Sequence, residues 1–451
     1  MSRPAGGSAH RGGTIWIDLT DLFHEFRLAG HVTGVSRMAL NIADQLIAAP
    51  GDAFAAARIL FWRPGAWFPS TVDVAASESL ATFFPQLARL YREAGCMILP
   101  SSAAASPLER SIASGFMRSV RYTLYPADSG VMLFEYWAKT QGIAVEPALL
   151  REGDSLFLPG SFWLERHTPR LLALARTAGA SVTAFIHDML LLTHPEWRPG
   201  ALAGQFRRGC ETILPKCQAV VCNSQHTAAE LRRCIRLPAS LPIATCRFGD
   251  QPPSGGEAQV ADLPPELVGK RYVLCVATLL PRKNHRLLVQ AWRELSRRTG
   301  EATPYLVFVG GGAPDRELAE LLKCERAESG RIVQLGGVDD AMLETLYRHA
   351  WLTAFPSLAE GYGIPVAEAL ARGKVCLAAP VEGVSEAGAG FVDVIDPNDP
   401  ERVVARVAGY LADPTSLVAR EAEIRRGYRS TSWAETAGTV RAVLERAAAR
   451  G

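Results

Sequence analysis

No stretch of this sequence approaches the run of about 18 apolar residues needed to span a bilayer, so no transmembrane helix is expected. None of the nine cysteines forms a Cys-x-x-Cys pair, which argues against a metal knot or a disulfide framework. Cys222, Cys275 and Cys376 lie inside apolar runs, where a free thiol behaves as a small hydrophobe. That usage fits a reducing cytoplasm. No charge sign is in excess: 48 Lys and Arg stand against 46 Asp and Glu, so no nucleic-acid partner is indicated. There is no Asp-x-Asp anywhere, no internal repeat and no sustained low-complexity tract, and no metal site is expected. The opening MSRPAGGSAHRGG has basic residues but no apolar segment behind them. It is not a secretory signal, and residues 1–13 read as a disordered leader.

What is present is alternation. In 451 residues, 48% hydrophobic, short apolar runs of strand length alternate with segments of helical periodicity, and the length supports two cores. In residues 14–250 the expected strands are Thr14–Leu19, Ala57–Trp62, Ser155–Pro159, Ser181–Ile186, Ala219–Cys222 and Ile243–Phe248. Thr33 to Arg37 read as a loop into a helix whose face carries Ala39, Ile42, Ala43 and Leu46. Residues 80–126 mix Arg110, Arg118 and Arg121 with Phe116, Tyr122 and Tyr125, either an acceptor- or membrane-facing amphipathic helix or a solvated helix on the sheet. The strand Ser181–Ile186 ends in His187-Asp188, a polar pair at the carboxyl edge where open α/β sheets bind ligands. His194 and Trp197 follow in the next loop, in reach of an acceptor. Asn223-Ser224 precedes a helix near Thr227, with Ser224 or Thr227 as its cap. Residues 251–268, rich in Pro, Gly and acids, mark a linker.

A second strand–helix series occupies residues 269–425, with strands Tyr272–Ala277, Tyr305–Val309, Arg331–Leu335, Leu352–Phe355, Val375–Ala379 and Phe391–Ile395. The first leads into Pro281-Arg282-Lys283-Asn284, where two adjacent cations at a strand-to-helix turn suit a diphosphate. Gly310-Gly311-Gly312 lacks dinucleotide-motif spacing and reads as a tight turn. After Leu352–Phe355 the chain runs PSLAEGYGIPVAEALARG. Gly361 and Gly363 permit a close turn, Pro365 suits a helix's first turn, and Gly373 suits its stop. Amides at such a helix start form an anion site. Glu360 lies just before the turn, and Glu368 is placed in the helix's first turn. Taken singly, Glu360 reads better as a loop charge and Glu368 as a dipole partner; the whole pattern does not. Ser432-Trp433-Ala434-Glu435 is a capping box opening a last helix in residues 426–451.

Glu360, seven residues and Glu368 in that setting resemble the signature of retaining GT-B glycosyltransferases of family 4, and Pro281–Asn284 is similar to a second motif of that family. The resemblance covers residues 270–445 closely and 14–250 more loosely. It implies an α/β chain with two doubly wound Rossmann-like domains facing across a cleft, the last helix crossing back to the first domain. It further implies a hexose moved from a nucleoside-diphosphate sugar to a glycan or lipid-linked acceptor, with retention and without a metal or cofactor. Of the catalytic residues it implies, His187 faces the donor sugar, Arg282 and Lys283 hold the diphosphate, and Glu360 holds sugar hydroxyls. Glu368 would hold the ribose. Gly34, Val338, Gly361, Tyr362, Gly363 and Ile364 complete the donor contacts, and Arg37 and Asp188 face the acceptor. Two positions depart from the family pattern: Ser36 stands where a second glycine is usual, and Leu280 where an acid is common. The rivals are a non-catalytic sugar-nucleotide binder, or a phosphorylase or epimerase of the same architecture. Cytoplasmic polysaccharide synthesis, with peripheral contact at the inner membrane surface, completes the expectation.

Overall fold

The computed structural model describes residues 12–22, 34–62, 68–72, 144–197, 200–251 and 261–450. The expectations for residues 80–126, for most of the leader and for linker residues 252–260 lie outside them.

The first domain contains β1 (Gly13–Asp18), α1 (Gly34–Ala48), β2 (Phe54–Phe61), β3 (Ser70–Val72), β4 (Val145–Pro147), β5 (Ser155–Leu158), α2 (Thr168–Ala178), β6 (Ser181–Ile186), α3 (Leu202–Ile213), β7 (Ala219–Cys222), α4 (Gln225–Cys234) and β8 (Ile243–Thr245). They form one sheet in the order β4-β3-β2-β1-β5-β6-β7-β8. Pairing is parallel except at β3, antiparallel to both neighbours. Strands β5, β6 and β7 are buried at every position, as helix-covered parallel strands must be. The loop expected at Gly34–Arg37 is already helix, because α1 begins at Gly34. The strand expected to run to Phe248 stops at Thr245. Phe248 turns inward instead, stacked on Phe185 with ring centroids 5.7 Å apart.

The second domain contains β9 (Tyr272–Val276), α5 (His285–Thr299), β10 (Tyr305–Val309), α6 (Arg316–Glu328), β11 (Ile332–Leu335), α7 (Asp340–His349), β12 (Leu352–Phe355), α8 (Ile364–Ala371), β13 (Cys376–Ala378), α9 (Glu382–Gly388), β14 (Asp393–Val394), α10 (Pro400–Ala412) and α11 (Pro414–Gly427). Its six strands, ordered β11-β10-β9-β12-β13-β14, are all parallel. The strand expected over Phe391–Ile395 shrinks to β14, two residues at the sheet edge.

Strand order reverses between β1 and β5 in one sheet and between β9 and β12 in the other. Loops leave in opposite directions at such points and open a crevice at the carboxyl ends. Arg282 and Lys283 fall on the loop after β9 and Glu360 on the loop after β12, while His187 and Asp188 follow β6.

The last helix, α12 (Trp433–Ala448), belongs to the first domain's core. Trp433, Val440 and Leu444 pack in one apolar cluster with Ile17, Ile42 and Phe157. Both capping-box bonds form: the Ser432 hydroxyl accepts from the Glu435 amide at 3.1 Å, and the Glu435 carboxylate accepts from the Ser432 amide at 2.7 Å. Among the described residues no helix is long and apolar enough to cross a membrane.

Candidate active site

Three donors converge on one oxygen of Glu360. Its Oε1 accepts from Arg282 at 2.8 Å, from Lys283 Nζ at 2.5 Å and from the Ser357 hydroxyl. Oε2 takes part in none of the three. Arg282 and Lys283 lie in the one-turn 3-10 helix after β9, and Glu360 lies after β12, so adjacent strands deliver all three side chains to one edge. The Arg282 carbonyl accepts from the Leu358 amide at 2.7 Å, tying the two loops together. Lys283 Nζ also sits 4.9 Å from the centre of the Phe355 ring. Burial alone would raise the Glu360 carboxyl's pKa, but Lys283 and Arg282 outweigh it and hold the group below its usual range. Lys283 is pulled below the ordinary lysine range by burial and Arg282, with Glu360 opposing. The cluster is therefore desolvated and held by mutual hydrogen bonds.

The glycine turn is shaped by the other domain. A Cβ on Gly361 would overlap the His187 carbonyl oxygen and lie 2.8 Å from the Asp188 Cβ. The Gly361 carbonyl accepts from Ser224 Oγ at 2.6 Å and Thr227 Oγ1 at 3.2 Å, both from the start of α4. Gly363, at φ 102°, begins α8 in a conformation that favours glycine. The Tyr362 side chain is buried against Phe248, centroids 5.3 Å apart, so this residue offers the turn its backbone.

His187 faces this turn from the first domain. Its Nε2 lies 2.6 Å from the Pro159 carbonyl oxygen. A carbonyl can only accept, so Nε2 carries the proton and Nδ1 the lone pair. Burial lowers the His187 pKa to about 4, and the ring is neutral at pH 7. Burial raises that of Asp188 beside it, against the pull of Arg282. His187, Asp188 and Arg282 line a cavity of about 350 Å³ that also takes in Leu280, His194 and Trp197.

Glu368 is set in the second turn of α8, not the first as expected, because the helix starts at Ile364. It is buried, with Oε1 accepting from Arg37 at 2.9 Å and Oε2 from the Tyr347 hydroxyl at 3.0 Å. Arg37 was expected at the acceptor. In the structure it reaches across the domains to Glu368, and to Asp340 at 3.2 Å. Gly34 is exposed at the start of α1, and Val338 is half-buried in the turn between β11 and α7. Ser36, the substituted glycine, is buried with its hydroxyl unpartnered.

Residues 264–429 match the family model of glycosyl transferases group 1. O-antigen chain mannosyltransferase B of Escherichia coli is 29% identical over 52% of this chain and 61% of that protein. D-inositol 3-phosphate glycosyltransferase of Nocardia farcinica is 30% identical over 40% of this chain and 41% of that one. The chain thus spans less than two thirds of the length of these curated relatives. Sucrose-phosphate synthase from Thermosynechococcus elongatus superposes with a TM-score of 0.56 at 16% identity, over 97% of this chain and 100% of that one. An E. coli structure described as trehalose-6-phosphate bound with UDP-2-fluoro glucose gives 0.59 at 12% identity, over 96% and 99%.

The fold is GT-B.

Several contacts escaped the sequence reading. Ser357, two residues after β12, hydrogen-bonds Glu360, and Asn223, directly after β7, donates its amide to the His187 carbonyl at 2.5 Å. Strand-end position was the signal available for each. Asp18, at the end of β1, pairs with His167 before α2 at 3.2 Å, and no local pattern links residues so far apart.

Proposed function

We propose that this chain is a retaining hexosyltransferase that moves a mannose- or glucose-type sugar from a nucleoside diphosphate to a glycan or lipid-linked hydroxyl. The single observation behind this is the cluster in which Glu360 holds Arg282 and Lys283 at the carboxyl edge, against a glycine turn pressed on His187. In this reading the anomeric carbon–oxygen bond to the diphosphate breaks, and a bond to the acceptor oxygen forms on the same face. The acceptor's proton passes to the leaving phosphate oxygen. Negative charge grows on that diphosphate. Arg282, Lys283 and the amides at the start of α8 stabilise it without a metal. Glu360 fixes the two cations through Oε1, leaving Oε2 for a sugar hydroxyl. Neutral His187 forms the polar wall beside the sugar, and Glu368 holds the ribose. The mannosyltransferase relative supports mannose and surface polysaccharide as the setting.

The test is a donor screen that follows release of UDP or GDP from UDP-glucose and GDP-mannose, with and without EDTA. Release should survive the chelator. Lys283→Ala and Glu360→Ala should each lower kcat by about 10²–10³-fold, the usual effect of losing one preorganised charge-stabilising group. Wild-type turnover in either variant overturns the catalytic assignment. Sugar 1-phosphate formed with added phosphate would mark a phosphorylase instead.

A further inference from the structure

The interdomain cavity has a mixed lining. It joins His187, Asp188 and Arg282, with Ser161 and His194, to an apolar set of Trp163, Leu164, Leu190, Leu191, Trp197 and Phe206. The aromatic groups are held rigidly: Trp163 meets Phe206 edge-on with centroids 4.9 Å apart, and Trp197 stacks on His194 at 4.2 Å. The one-turn helix Leu190–Thr193 begins with three leucines and buries none of its residues. Leu164 is 48% exposed. Leu191 packs part-buried against the first domain's core, but Leu164 and Leu190 lie outside that cluster on the cavity lining, and apolar side chains so placed mark a binding surface. Their side chains offer sugar hydroxyls no hydrogen bond, so this wall suits a group without hydroxyls.

We infer that the acceptor is amphiphilic, placing its reacting sugar at His187, Asp188 and Arg282 and an apolar aglycone, an alkyl or isoprenoid chain, along the leucine and tryptophan wall. This rests on the glycosyl-transfer reading and narrows its acceptor to a lipid-linked saccharide. The polar lining meets the donor cluster through Arg282, which also bonds Glu360. The apolar wall is built almost wholly from the first domain.

The test compares octyl α-mannoside, below its micelle concentration, with methyl α-mannoside as acceptors for the donor found by nucleotide release. The octyl glycoside should show a KM at least about tenfold lower, as expected from burying several methylenes. Leu191→Asp should bring the two within about threefold. Leu164→Asp, at a half-exposed position that tolerates charge, gives the same comparison if the first variant folds poorly. Equal KM values for the two glycosides overturn the inference, as does preference for mannose 6-phosphate, or an undiminished octyl advantage in the variants. If no donor is turned over at all, the glycosyl-transfer reading fails on its own. Calorimetry then decides the wall: octyl mannoside bound by the wild type but not by Leu191→Asp sustains it, and no binding to the wild type removes it.

Discussion

Gly361 has no room for a methyl group, and the obstacle is not in its own domain. The space is filled by the backbone of His187 and Asp188, and the Gly361 carbonyl is tied to Ser224 and Thr227. Gly361→Ala must therefore push the two domains apart locally. Turnover should fall by about 10²-fold, since small misplacements of reacting groups carry costs of that size. A variant with unchanged kcat would show that the domains need not touch here. Glycine, turn and helix were all legible in the sequence, and so were the two cations and the carboxylate singly; that Glu360 pairs with both cations was not. The partner of the glycine was not, because it comes from another sheet.

Among the elements, the loop from β5 to α2 is pinned by a buried pair. His167 Nε2 lies 3.2 Å from Asp18, Nδ1 lies 3.5 Å from Glu165, and the ring stacks on Trp62. Burial works against the imidazolium, but Asp18 and Glu165 outweigh it and raise the pKa to about 9. A raised pKa adds stability that is complete below the unfolded value near 6.5 and lost as pH climbs through 9. Wild type should exceed His167→Gln by on the order of 3 kcal/mol in denaturant unfolding at pH 6, with the gap closing by pH 9.5. A gap independent of pH would deny the charged pair. Helix α12 is the second case. Trp433 lies across Gly249, where a Cβ would come within 2.5 Å of the indole. Trp433→Ala should cost about 3–5 kcal/mol of stability, as large aromatic truncations do. A thermal midpoint within a degree of wild type would mean the helix is not part of the first domain's core.

At the scale of the whole molecule, charge and backbone contacts join the domains. Arg37 reaches Glu368 and Asp340; Glu386 accepts from the Gln225 amide at 2.8 Å; Arg372 donates to the Asp250 carbonyl at 3.1 Å. Asp250, where the chain leaves the first domain, accepts from Tyr428 at 3.0 Å and from the Thr431 amide at 3.0 Å, where it returns. Arg37→Ala leaves a buried carboxylate with only Tyr347 as partner. It should cost about 2 kcal/mol or more in nucleotide-sugar binding by calorimetry, the price of breaking a buried hydrogen-bonded charge pair. Unchanged affinity would separate Glu368 from the donor.

Local pattern alone was enough for most of the parallel strands, the caps, the Arg282-Lys283 turn and the interval between the two glutamates, though not for the short antiparallel β3 and its neighbour β4. Each is written in neighbouring residues, by periodicity or by the φ that glycine and proline allow. Folding in three dimensions settled the rest: Arg37 turning to Glu368 instead of an acceptor, Tyr362 sinking into the core, Phe248 leaving its strand, and Asp18 finding His167. Those outcomes depend on which sheet edge meets which, and a side chain's partner is set by burial and distance across the cleft, for which sequence spacing carries no record.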